Sequence, residues 1–264
     1  MADPEQLATA HEALILLLSK MPRLALIEIL CAAAGIDLIE VSEVRERTPT
    51  FEVPNLNRRA RKGLIDFLLV AIAGNGVTLM HWIIEVQLCW DANKQWNWAL
   101  YAVAVGAESK KPAVVAVFTP DPVLRARIRT KLIPKILPPP ALVEPDHIEL
   151  IDDVEEARRR PHETILGAVY HAASDTPVER RVAAIRAAWI AVQTLDPWEC
   201  RSYTVLMLTT TPTDIAERAR EELREQEERD SYRFITFEEY EISDLERNSF
   251  LGEKAHRIGK QEGR

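Results

Sequence analysis

The sequence is poor in cysteine: Cys31, Cys89 and Cys200 are the only three in 264 residues. They are odd in number, far apart and set in apolar surroundings. Neither a disulfide framework nor a metal-ligand spacing can be built from them, so all three are expected as reduced residues in or near a core. Long hydrophobic runs are lacking too. Glu28, Asp66 and Glu85 each interrupt an apolar stretch, and no stretch reaches the length a bilayer requires. The opening residues, MADPEQLATAHEALILLL, carry neither the basic region nor the cleavage site of a secretory signal. These absences predict a cytoplasmic protein with no membrane partner. Net positive charge is also missing, with 33 Lys+Arg against 41 Asp+Glu and a formal charge of -8. That excludes a protein that coats nucleic acid through bulk counterion release. Contact with phosphate would need a local basic patch or a metal ion. The sequence has no G-x-S-x-G, P-loop or G-x-G-x-x-G motif, its six histidines are scattered, and no zinc-finger, helix-turn-helix or RNA-binding signature is present.

What is there is ordinary for a folded domain: 47% apolar and 28% charged residues. Residues 8–34 read as a helix broken at Pro22 and closed by Gly35. A strand is expected over 36–45, then a loop over 48–62 that ends in Arg58, Arg59, Arg61 and Lys62. Two β-type runs, Gly63–Ala73 and Val77–Leu88, flank Asn75-Gly76 and predict a hairpin. A helix over 91–108 with Asp91 as its N-cap leads to a buried strand, Ala113–Phe118, so strand, helix and strand form a parallel crossover. A basic helix over Val123–Lys135, a stiff connector at prolines 138–140 and a short strand at His147–Ile151 follow. Beyond Asp153 the chain reads as helices over 153–173, 177–194, 198–209 and 213–229. The last is highly charged and is expected to pack through a narrow stripe. The expected organisation is an α/β core over 1–152 with a mixed sheet flanked by helices, a helical region over 153–229 and a polar tail over 230–264. The charged C-terminal helices offer a surface for self-association.

The chemistry concentrates in the hairpin. Asp66 interrupts GLIDFLLVA, and Glu85 and Gln87 interrupt HWIIEVQL. A charge inside an apolar strand is costly unless it is paired or bound to metal. With a two-residue turn at Asn75-Gly76, cross-strand partners sum to 151, which sets Asp66 opposite Glu85. Like charges at that spacing repel, and a divalent cation reverses the penalty. The competing reading gives one carboxylate a lysine or arginine partner and makes the cluster structural. Lys94, Trp98 and Tyr101 follow i, i+4, i+7 spacing and share a helix face. The basic run Arg58–Lys62 enters the hairpin and suits phosphate contact. The second basic run, Arg125 to Lys135, is expected as a solvated face. His81 borders the Glu85 strand and is expected to be structural.

In order, Lys62-Gly-Leu-Ile-Asp66, Glu85-Val-Gln87 and Asp91-x-x-Lys94-x-x-x-Trp98-x-x-Tyr101 resemble the PD-(D/E)XK nuclease superfamily. Within it the likeness is to Rpn-type recombination-promoting nuclease and transposase-associated bacterial proteins. His11-Glu12 in the first helix and the Gly-Lys-Gln-Glu-Gly-Arg ending are similar to that group as well. The likeness covers roughly residues 9–172. It implies a restriction-endonuclease-like core that cleaves DNA, with RNA as the other candidate substrate, through Mg²⁺ or Mn²⁺ held by Asp66 and Glu85. Further implied ligands are the Val86 carbonyl and Glu12. Gln87 stands where the parent motif has lysine, and it brings no positive charge; Lys94, just after the strand in the first turn of the next helix, is a candidate to supply it, the other reading being that Trp98 and Tyr101 pack in the core while Lys94 reaches solvent. The missing lysine also leaves a second reading open, a nuclease-fold binding or assembly module without activity.

Overall fold

The computed structural model describes residues 9–37, 41–47, 50–53 and 61–230. Two helices open the chain, α1 (Ala10–Lys20) and α2 (Arg23–Ala34). Pro22 separates them, and Gly35 closes α2 in the left-handed region at φ 63, where a Cβ would be strained. Strands β1 (Val41–Arg47), β2 (Thr50–Val53), β3 (Arg61–Leu64), β4 (Phe67–Ala73) and β5 (Thr78–Val86) follow. Helix α3 (Lys94–Ser109), strand β6 (Ala113–Phe118), helix α4 (Pro122–Lys131) and strand β7 (Ala141–Leu142) complete this part. The sheet is mixed and five-stranded, in the order β1-β4-β5-β6-β7, while β2 and β3 pair separately. The pairs β1·β4 and β4·β5 are antiparallel, and β5·β6 and β6·β7 are parallel. The α/β architecture with a mixed sheet and flanking helices is therefore as expected.

The hairpin reaches its expected register by an unexpected route. Gly76 N–H donates to the Ala73 carbonyl and Ala73 N–H to the Val77 carbonyl, so the loop has three residues rather than two. Gly76 adopts φ 77, the left-handed value such a loop needs. The extra residue shifts the pairing by one, and a bulge opposite Ala71 and Ile72 shifts it back. Beyond the bulge, Ala71 pairs Met80 and Phe67 pairs Ile84, the pairing that a two-residue turn gives. That register extended by one residue sets Asp66 opposite Glu85.

Several elements differ from the sequence reading. The run Gly63–Ala73 is two strands, and Asp66 lies in the break between them. The loop expected over 48–62 contains β2 and the start of β3, because Thr50–Val53 pairs with Arg61–Leu64. Asp91 does not cap α3; the cap residue is Asn93, and Asp91 Oδ1 accepts from the Asn93 N–H at 2.8 Å. The last strand is Ala141–Leu142; the strand expected at His147–Ile151 is instead the end of a 3₁₀ turn, Pro145–His147, followed by irregular chain over 148–151. Cys89 is exposed rather than near a core, while Cys31 is buried as expected.

The chain divides into two compact units, one of Leu14–Leu150 with residues 173–175, the other of the remaining chain. In the second, Arg160-Pro161 splits the helix expected over 153–173 into α5 (Val154–Arg159) and α6 (Pro161–His171). Helices α7 (Val178–Val192), α8 (Pro197–Thr210) and α9 (Thr213–Asp230) follow as expected. Along α9 the buried positions are Ile215, Ala219 and Leu223, the narrow stripe its composition predicts. Among the described residues, no helix is long and apolar enough to cross a membrane.

Candidate active site

The parallel pairing of β5 and β6 sets their carboxyl ends along one edge of the sheet. Open α/β sheets bind ligands at this edge. Glu85 is the second-last residue of β5, and Gln87 N–H donates to the Phe118 carbonyl at the end of β6. Asp66 immediately precedes β4, whose antiparallel course brings its start to the same edge. Side chains alternate along a strand, so Ile83 and Glu85 share a face. Ile83 packs in one cluster with Trp98, Tyr101 and Val105 of α3 and Leu124 and Ile128 of α4. Both helices therefore cover the face that carries Glu85.

Glu85 is 1% exposed. Its Oε2 accepts from Lys94 Nζ at 2.6 Å and from Trp98 Nε1 at 3.2 Å. Both bonds fall on the same oxygen. Burial raises the Glu85 carboxyl above its ordinary range; the Lys94 charge and its hydrogen bond oppose this rise, and Asp66 adds to it. Burial lowers the Lys94 ammonium, but Glu85 and Asp66 outweigh burial and hold it above its ordinary value. Burial, with Glu85 beside it, also pushes the Tyr101 phenol up. Asp66 is half-buried, and its Oδ2 accepts from the Val86 N–H at 2.7 Å. Its carboxylate is thus pinned to the residue that follows Glu85.

Gln87 is buried, and its Nε2 donates to the Cys89 carbonyl. Its Oε1 has no hydrogen-bond partner. Thr119, directly after β6, presents a second such atom: Oγ1 is buried and unpartnered. The register of β5 and β6 extended by one residue sets Gln87 beside Thr119. Unsatisfied buried acceptors and hydroxyls are uncommon and call for a polar occupant. Neither Thr119 nor the hydrogen bond from Trp98 was anticipated from sequence. The signals were a hydroxyl at the exit of an apolar strand, and an indole N–H that needs an acceptor once its ring is buried.

The remaining sequence candidates are not joined to this group by any described contact. Glu12 is exposed and forms a reciprocal cap with Thr9: Glu12 Oε2 accepts from Thr9 N–H at 2.8 Å, and Thr9 Oγ1 accepts from Glu12 N–H at 3.2 Å. It belongs to the other compact unit. Arg58 and Arg59 lie outside the described residues, and of Arg61 and Lys62 only the backbone, in β3, is described. His81 is buried, and desolvation lowers its pKa, as expected of a structural histidine. The second basic run is solvated as expected at Arg127, Arg129, Lys131 and Lys135, and Arg125 is the exception. Arg125 is buried and donates to the Thr119 and Pro120 carbonyls at 3.0 Å, and its Nε lies 3.0 Å from Glu144 Oε2. Arg129 also pairs with Glu144.

Among the described residues, no three His, Cys, Asp or Glu side chains cluster to hold a metal ion. What the edge offers is two carboxylates, one ammonium and two unpartnered neutral polar atoms. Comparison with protein-family models, curated proteins and solved structures gave no match.

Proposed function

We propose that the chain is a metal-dependent phosphodiesterase that cleaves DNA, with Asp66 and Glu85 as cation ligands and Lys94 as the charge that Gln87 does not bring. One observation carries this reading: Lys94 Nζ lies 2.6 Å from Glu85 Oε2, while Asp66 is fixed to the very next residue, Val86. Two carboxylates and an ammonium, from the break before β4, from β5 and from α3, thus meet at one edge of the sheet. The donor set fits Mg²⁺ or Mn²⁺, which take carboxylate and carbonyl oxygens and retain several waters, so two protein carboxylates suffice. The raised Glu85 pKa marks an ionisation that a divalent cation would favour. A bound cation supplies charge stabilisation at the phosphate and lowers the pKa of an attacking water. The chain's own groups do the rest. Asp66 and Glu85 fix the cation, with the Val86 carbonyl as a further ligand. Lys94 stabilises charge developing on the phosphate oxygens. Gln87 Oε1 accepts a hydrogen bond from the attacking water and so orients it.

A second reading has its own support. Lys94 and Glu85 form a closed pair, and the Gln87 amide holds the Cys89 carbonyl, as in a purely structural edge of a binding module. Plasmid nicking with Mg²⁺ or Mn²⁺ separates the two. We expect nicking by the wild-type chain and its loss in Asp66→Asn and Glu85→Gln. Equal nicking by those variants would assign the activity to something other than this site. Calorimetry without Mn²⁺ uptake would favour the binding module.

A further inference from the structure

Three arginines lie along α4, and among the described residues only one lacks an acid. Arg125 and Arg129 both pair with Glu144. Arg127 is exposed, has no carboxylate partner among the described residues, and lies over the ring of Trp90, 4.0 Å from its centroid. A guanidinium stacked on an aromatic face keeps its N–H edge free, and the planar fork matches two phosphate oxygens. Trp90 in turn is held close to the site. It belongs to the segment between β5 and α3, packs on the cluster containing Ile83 and Trp98, and directly follows Cys89, whose carbonyl accepts from Gln87. From the site outward, the contacts run from Gln87 to Cys89, and from the adjacent Trp90 ring to Arg127. The base of α4 is fixed at the same edge, because Asp121 Oδ1 caps it and Arg125 ties it to Thr119 and Pro120.

We infer that Arg127, seated on Trp90, is a backbone-phosphate contact for the strand bound at the Asp66–Glu85 edge, with Trp90 as its positioning residue. This rests on the phosphodiesterase reading. It assigns Gln87 a second task, shaping the loop that carries Trp90. A backbone contact of this kind adds affinity without sequence preference.

The test is fluorescence anisotropy of the full chain with labelled DNA duplexes of two unrelated sequences in Ca²⁺, across a salt series, alongside Mn²⁺-dependent nicking. Arg127→Gln should weaken binding to both duplexes by roughly tenfold and flatten the salt slope by about one. Arg127→Lys should recover the slope but not the full affinity, since lysine keeps the charge and loses the stacked plane. Trp90→Leu should weaken binding with the slope intact. Arg129→Gln, an exposed cation of the same helix already paired to Glu144, should leave binding unchanged. Wild-type binding and nicking with no effect of Arg127→Gln would overturn the inference and leave the phosphodiesterase reading standing. Equal losses in Arg127→Gln and Arg129→Gln would also overturn it, as a general charge effect. A wild-type chain that neither binds DNA nor nicks it would remove both.

Discussion

At the scale of single residues the decisive pair is Glu85 and Lys94. A carboxylate that is 1% exposed is tolerable because an ammonium and an indole N–H converge on it. Lys94→Met removes the charge and leaves Glu85 buried without its cation. Breaking a buried pair from one side costs on the order of 3 kcal/mol, and the 21% exposure of Lys94 places this one at the lower end. The double variant Lys94→Met/Glu85→Gln should recover most of that loss in urea unfolding, since no uncompensated charge remains. The pH dependence has a fixed sign. The folded state holds the Lys94 ammonium above its ordinary 10.5, so its contribution is complete below that value and is lost as pH rises through the folded pKa. The stability gap between wild type and Lys94→Met should therefore persist at neutral pH and close in the alkaline range above 10.5. Glu85 behaves in the opposite sense for a carboxylate. Its folded pKa lies above 4.5, so protonation favours the fold, and protons compete with a metal ion at this carboxylate as pH falls. Calorimetric Mn²⁺ affinity should fall as pH drops toward the acid range, and it should fall earlier in Lys94→Met, where only the Trp98 N–H still opposes the effect of burial.

At the scale of elements the edge is held by connections more than by strands. Arg125 joins the Thr119 and Pro120 carbonyls to Glu144, and so ties the exit of β6 to the segment after β7. Arg125→Leu keeps apolar bulk but abandons two carbonyls and a carboxylate. We expect a loss of about 3 kcal/mol in urea unfolding, with reduced protection from hydrogen exchange between Thr119 and Leu124. Sequence made the helices around Pro22 and Gly35, the hairpin and the parallel crossover legible, because each has a local cause: a missing donor, a left-handed turn, an apolar period. It also brought Asp66, Glu85 and Lys94 together. The latch was not legible, since nothing local to Arg125 indicates a carboxylate 19 residues later in sequence. The three-residue loop and its compensating bulge were equally hidden. Their effects cancel beyond Ala71, which is why a register argued from the wrong turn still faces Asp66 with Glu85. Strands β2 and β3 escaped for a related reason: a four-residue pairing flanked by Pro49 and Pro54 has too short a period to stand out from a loop.

At the scale of the whole molecule the charge is unevenly divided. Residues 14–150 hold 16 Lys+Arg and 14 Asp+Glu, so the acidic total of -8 comes from the rest of the chain. The unit that carries the candidate site is close to neutral and slightly basic. Such a unit does not attract DNA from a distance, and the acidic remainder opposes approach. Affinity must then come from a handful of local contacts, with Lys94, Arg127 and the basic residues before Asp66 as the available cations, and from the divalent ion. This fixes the salt dependence. A plot of log affinity for duplex DNA against log salt, measured in Ca²⁺ to prevent cleavage, should have a slope of roughly -3 to -6, since each phosphate contact contributes about -0.9. A slope near -10 would reveal an extended basic surface, which residues 14–150 do not have the charge to form. A slope near zero would mean that no phosphate is neutralised. Removing Ca²⁺ with a chelator should weaken binding further in the wild type but not in Asp66→Asn/Glu85→Gln, because only the wild type loses a cation that bridges protein and phosphate at this edge.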